Sequence, residues 1–188
     1  MAVTAHSAEP ASDTVRRAQA GDVAAFDLLV RTRLDRSFRF ACAVLGNEAD
    51  AADAVQDAYV TAWRELPRLR DPDRFDAWLG RIVLNSCRQG VRRRGRVREL
   101  SLDMVDPDAA TGSRQSEPGG VGERDALARA IDRLPVEQRA ILALHHLEDR
   151  PVGEIAARLG IPTGTVKWRL HAARRALERA LAIEDRTR

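Results

Sequence analysis

The chain has 188 residues, enough for one medium or two small domains. It is 44% hydrophobic, 31% charged and only 4% aromatic, with a formal net charge of +3. That balance fits a soluble helical protein with modest cores, and a pI near 9.5 permits a nucleic-acid partner without requiring one. No apolar run approaches the roughly 18 residues of a membrane span, so membrane insertion is not expected.

The opening MAVTAHSAEPAS lacks the basic start and apolar centre of a signal peptide, and residues 1–12 read as a disordered tail. A helical block then begins near Asp13. Gly21-Asp22 breaks it, with Asp22 able to cap the next helix, and Phe26, Leu29, Val30, Leu34, Phe38 and Ala41 carry an apolar repeat to about Leu45. Gly46-Asn47 is a stop signal. The next helix runs from about Glu48 to Leu66 and is expected to bury Ala52, Val55, Tyr59, Ala62 and Leu66. Asp50, Asp53 and Asp57 share another of its faces. The helix dipole favours acids in the first turn, but Asp57 lies too deep for that, and like charges at this spacing repel. Either a basic partner or simple solvation accounts for this acidic face.

Pro67 ends that helix. RDPDRFDAWLGRIVLNSCRQ starts another near Pro72, with Phe75, Trp78, Leu79 and Ile82 as its apolar matter. Asn85, Ser86 and Arg88 extend it with polar groups into GVRRRGRVR, which reads as an arginine-rich loop. Arg88, Arg92, Arg93, Arg94, Arg96 and Arg98 stand there without an intervening acid. Phosphate is the natural counter-charge, and a solvated basic edge is the alternative. Residues 99–122 change character: Gly, Ser and Pro dominate, and Glu99, Asp103, Asp106, Asp108 and Glu117 outnumber Arg114. This stretch reads as a flexible acidic linker between two domains, 13–98 and 123–183, with a short tail at 184–188.

In the second domain Ala126, Leu127, Ala130, Ile131 and Leu134 repeat as a helix. Pro135 opens another, carried by Ile141, Leu142, Leu144 and Leu147 to Asp149. Two helices and a tight turn follow. The first covers about Val152–Leu159 and stops at Gly160. Pro162 forbids immediate continuation, and Thr163 can cap the second helix. In that second helix Val166, Leu170, Ala173, Leu177 and Leu181 form one apolar stripe. The opposite face holds Gly164, Trp168, His171, Ala172 and Arg175, flanked by Thr165, Lys167, Arg169 and Arg174. Lys167 is the single lysine of the chain. A helix-turn-helix can lay this helix in a DNA major groove; an ordinary helical hairpin with a charged face is the bland alternative. The fold class expected is therefore all-α: two small helical domains, the second containing the helix-turn-helix.

Cys42 and Cys87 lack metal-ligand spacing and suit free thiols in a reducing cytoplasm. His145 and His146 are adjacent and diverge on a helix, and neither HExxH nor CxxC occurs, so no metal and no other cofactor is expected.

Two blocks in this order, DAVQDAYVTAW (53–63) with RFDAWLGRIVLN (74–85) and the arginine stretch, then LPVEQRAILALHHLEDRPVGEIAARLGIPTGTVKWRLHAARRAL (134–177), resemble the extracytoplasmic-function (ECF) class of sigma-70-type factors. The resemblance implies a non-enzymatic promoter-recognition subunit of RNA polymerase. By it, Asp53, Gln56 and Asp57 match positions that dock on the clamp helices of the largest subunit. Asn85 matches a pocket that takes a flipped base of the −10 element, with Arg88, Arg92, Arg93, Arg94 and Arg96 beside it. The linker would thread toward the RNA exit, and the second domain would meet the flap of the other large subunit. Thr165, Lys167, Trp168, Arg169, His171, Arg174 and Arg175 would meet the −35 element. An anti-sigma factor is a partner of many family members. Trp168 stands where the family usually has a small residue, Ala172 where it has arginine, and Gln89 where an acid is common. A helix-turn-helix repressor or activator acting without joining polymerase would explain the second domain but not the acidic face or the arginine run. A nucleic-acid enzyme lacks any motif here.

Overall fold

The computed structural model describes residues 11–102 and 123–186. Eight α-helices occupy them: α1 (Ala11–Gln19), α2 (Val23–Leu45), α3 (Glu48–Glu65), α4 (Phe75–Leu102), α5 (Glu123–Asp132), α6 (Val136–His146), α7 (Val152–Leu159) and α8 (Thr163–Arg186). Two short 3₁₀ turns, Leu66–Arg68 and Pro72–Arg74, join α3 to α4. No strand occurs among the described residues, as an all-α reading requires.

The first boundaries follow local chemistry. Asp22 caps α2 by accepting the Ala25 N–H at 3.0 Å, and Arg17 pairs with it, so its carboxyl lies below the usual range. Gly46 ends α2 at φ 82, a left-handed conformation that glycine adopts without a Cβ clash, and its N–H donates to the Cys42 carbonyl. Asn47 then caps α3 by accepting the Asp50 N–H at 2.8 Å.

In α3 the buried face is wider than the sequence stripe. Ala51, Ala54 and Ala58 are buried with Val55, Tyr59, Ala62 and Leu66, while Ala52 is exposed. The reason is that α3 is flanked on two sides, by α2 and by α4. Alanine lets both neighbours approach closely.

The arginine stretch corrects the sequence reading. It is not a loop: α4 runs unbroken through Gly90 and Gly95 to Leu102, beyond the expected domain edge at Arg98. Each glycine costs a helix about 1 kcal/mol, but arginine is a good helix former. Arg93 and Arg94 also bind the helix to α3, through Asp57 at 3.0 Å and Asp50 at 2.6 Å. The linker expected at 99–122 thus overlaps α4 at its start, and its remainder lies outside the described residues. Likewise α1 begins at Ala11 and α8 continues to Arg186, into the stretches expected as tails.

The second domain packs directly on the first. Helix α6 lies against α2, α7 against α4, and a single apolar cluster runs from Val15 and Leu29 through Leu79 and Val83 to Ile141, Ile155 and Val166. A charged node sits in this seam. Glu148, just beyond α6, is mostly buried. Its Oε2 accepts from Arg36 of α2 and from Arg158 of α7, at 3.2 Å for the latter, with Arg150 at 3.8 Å. Its Oε1 is buried with no hydrogen-bond partner among the described residues. Burial pushes the Arg158 guanidinium down, whereas its bond to Glu148 holds Arg36 up. Arg158 crosses α4 at Gly80, where a Cβ would stand 2.4 Å from its Nε, so a side chain there would displace it. Arg81 meanwhile donates to the Arg158 carbonyl at 3.1 Å.

Both cysteines are free. Cys87 is fully buried in α4, and burial pushes its thiol up to about 12, while that of half-buried Cys42 is raised less. Native protein at pH 8 should therefore be alkylated at Cys42 first, with Cys87 modified only on unfolding. Peptide mass spectrometry after a timed iodoacetamide pulse checks this.

Candidate nucleic-acid interface

Three sets of residues singled out in the sequence can now be placed. Asp53, Gln56 and Asp57 share one exposed face of α3. Asp53 carries no hydrogen bond or ion pair among the described residues. Gln56 sits on the rim of a groove of about 940 Å³ between α2 and α3, lined by Phe26, Val30, Leu34, Phe38, Tyr59 and Trp63. Asp57 accepts from Arg93.

The second set follows on α4. Asn85 is exposed, and its side-chain oxygen accepts from Arg88 Nη1 at 2.8 Å. Arg88 also donates through Nε to Glu137 of α6 at 3.2 Å. Arg92 is exposed and unpaired among the described residues. Arg93 and Arg94 hold Asp57 and Asp50, and Arg94 also reaches the Leu45 carbonyl at 3.4 Å. The side chain of Arg96 lies outside the description. In the sequence the acidic face and the arginines are separate features; in the structure they adjoin and partly neutralise each other. Pairs this exposed are worth under about 1 kcal/mol each, so phosphates or a protein partner can displace them at small cost.

The third set is on α8. Gly160 ends α7 at φ 67, with its N–H donating to the Ala156 carbonyl. Thr163 is the first helical residue rather than the cap. The Pro162 carbonyl accepts the N–H groups of Thr165 and Val166, so Pro162 stands at the cap position. Val166, Leu170 and Ala173 are buried, and Leu177 and Leu181 half-buried, which anchors one side of the helix. Lys167, Trp168, His171, Arg174 and Arg175 are exposed, and Thr165 and Arg169 are half-exposed. None of these side chains makes a hydrogen bond or ion pair among the described residues. The outward face is therefore a row of unspent cations around one indole.

Two features were not found in the sequence. One is the apolar groove beside Gln56, where Leu34, Val60 and Trp63 remain 44%, 46% and 40% exposed. Its signal was the large apolar residues of α2 and α3 that exceed one buried stripe. The other is the Glu148 node, in which Glu148 pairs with Arg36 112 positions away and so leaves no local signal. Among the described residues no group of three potential metal ligands gathers, and no helix is long and apolar enough to cross a membrane.

Comparison with known proteins agrees with this arrangement. Residues 29–97 match the family model for sigma-70 region 2, and residues 124–177 match that for sigma-70 region 4. The chain is 37% identical to the ECF RNA polymerase sigma factor SigE of Mycolicibacterium smegmatis over 86% of its own length. It spans 65% of that relative. It is 36% identical to SigM of Mycobacterium tuberculosis, covering 86% of this chain and 80% of the relative. Among solved structures, CnrH bound to the cytosolic domain of CnrY is similar at a TM-score of 0.64 and 29% identity, over 92% of this chain and 97% of that one. The sigma factor RpoE bound to the anti-sigma factor NepR, from Bartonella quintana, is similar at 0.61 and 25% identity, over 84% and 97%. With both regions matched in order and a relative 36% identical across 80% of its length, the chain belongs to the ECF RNA polymerase sigma factors.

Proposed function

We propose that this chain binds core RNA polymerase, directs it to promoters carrying −10 and −35 elements, and helps open the −10 DNA, with the residues described above in distinct roles. Asp53, Gln56 and Asp57 on α3 meet the basic surface of the clamp helices. Asn85 receives a base turned out of the −10 duplex, and Arg88, Arg92, Arg93, Arg94 and Arg96 hold the strand backbone around it. Extruding a base costs a few kcal/mol, roughly, and polar contacts plus phosphate pairing offset that. Helix α8 lies in the major groove of the −35 element: Lys167, Arg169, Arg174 and Arg175 fix its position through phosphates, while Thr165, Trp168 and His171 face base edges.

The observation that carries this reading is the adjacency of the acidic face and the arginine run on α3 and α4. If the two faces take polymerase and single strand, this adjacency puts the two contacts side by side, an arrangement for which a simple repressor has no use. Two domains go with it, the first ending with α4 at Leu102 and the second running from Glu123 through α8, the second also meeting the polymerase flap. The work is recognition and melting rather than catalysis, and its place is the cytoplasm. The solved relatives bound to CnrY and NepR support an anti-sigma factor as a further partner.

Run-off transcription with core polymerase on a library of promoter fragments tests the proposal. Specific starts that depend on the chain are expected. Tight duplex binding without starts would move the reading to a repressor.

A further inference from the structure

We propose that Trp168 sets the sequence preference of the −35 contact by packing its indole on the 5-methyl group of a thymine in the major groove; this rests on reading α8 as the −35 helix. The indole is 65% exposed, although Trp63 and Trp78 each pack on a phenylalanine ring, at 4.8 and 5.8 Å between centroids. It is not free to roll inward, because Val166 and Leu170, two residues to either side, are buried at 0% and 5% exposure. Leaving so much indole in water is unfavourable unless something covers it in use.

The neighbours define the cover. One turn before Trp168 stands Gly164, where even a Cβ would meet nothing within 4 Å, and one turn after stands Ala172. Along this line of the helix Trp168 is the long side chain between two that cannot reach a base. Around it Lys167, Arg169, Arg174 and Arg175 offer cations without partners among the described residues, with the His171 ring beside them. A face with one apolar projection inside a ring of cations complements phosphate rails on either side of a groove floor with one apolar feature. Of the four bases only thymine presents a methyl group on the major-groove edge. Indole carries a single N–H donor and no acceptor, so it cannot make the bidentate pairs that distinguish guanine or adenine.

The test uses holoenzyme assembled from the full chain and core polymerase, on a promoter selected from a random library. Each thymine of the −35 element is replaced in turn by deoxyuridine, which removes only the methyl. At one position binding should fall roughly fourfold, the effect of losing the burial of one methyl carbon. Holoenzyme carrying Trp168→Ser should be indifferent to that replacement. Deoxyuridine tolerated at every position, or a selected −35 element without thymine, would overturn the proposal; if other base-pair changes there still matter, α8 remains the −35 helix. If no base-pair change in the −35 region matters, that reading falls too. If Trp168→Ser abolishes assembly with polymerase instead, the indole belongs to a protein contact and the proposal fails.

Discussion

Glu148→Gln should lower the free energy of unfolding by about 2–3 kcal/mol, measured by urea denaturation followed by circular dichroism. The carboxylate is the shared anion of Arg36, Arg158 and Arg150. Removing one partner of a buried ion pair costs about 3–5 kcal/mol, because the remaining charge stays buried and uncompensated. Here the cost is placed lower, since the Arg36 and Arg150 side chains keep 33% and 37% of their surface in water and can turn outward. Arg158, at 17%, cannot. Arg36→Gln should therefore cost less, about 1 kcal/mol, because Glu148 keeps Arg158. Equal stability of Glu148→Gln and the unaltered chain would mean that the seam is held by its apolar contacts alone.

Asp57→Arg should weaken binding to core RNA polymerase at least about tenfold, some 1.4 kcal/mol, with helix content unchanged. The substitution reverses a charge on the exposed face shared with Asp53 and Gln56, where a basic surface is expected to dock. It also removes the pair with Arg93, but both side chains are about half exposed, 49% and 57%, so that loss alone is worth under about 1 kcal/mol. Arg93→Ala separates the two effects. It frees Asp57 without reversing it and should leave polymerase affinity unchanged. Fluorescence anisotropy with labelled core polymerase reads both variants. Unchanged affinity for Asp57→Arg would remove α3 from the polymerase contact.

The local grammar of helix starts and stops was legible in the sequence. Gly21-Asp22, Gly46-Asn47 and Gly160 each act in the structure as their residue types dictate, because capping and positive φ depend on a few neighbouring atoms. The apolar stripe of α8 was legible for the same reason: one side of that helix is buried, and period alone finds it. Where burial comes from two sides the period fails, as in α3, whose alanines pack against α2 and α4 together. The arginine stretch failed differently. The stretch read as a loop, but ion pairs to Asp50 and Asp57, on another helix, bind it as part of α4. The sites divide in the same way. Candidate residues on α3, α4 and α8 could be named from local pattern, whereas the pairing of Asp57 with Arg93 and of Arg88 with Glu137 depends on how the helices come together.

The seam also sets a problem of reach. The −10 and −35 elements are about 25 base pairs apart, roughly 85 Å along the duplex at 3.4 Å per pair. In this structure α4, with Asn85, touches the domain that carries α8, through Arg88 and Glu137 and through Gly80 and Arg158. If α4 and α8 take the −10 and −35 elements as proposed, surfaces in contact cannot serve elements that far apart, and the promoter-bound form is one in which the seam has parted. The chain between Leu102 and Glu123 can extend to about 70 Å at most, which together with the bodies of the two domains covers the distance. On that reading, every contact that holds the seam closed counts against promoter engagement. A variant such as Gly80→Ala, which crowds Arg158 out of its place, trades stability of the closed molecule for ease of extension.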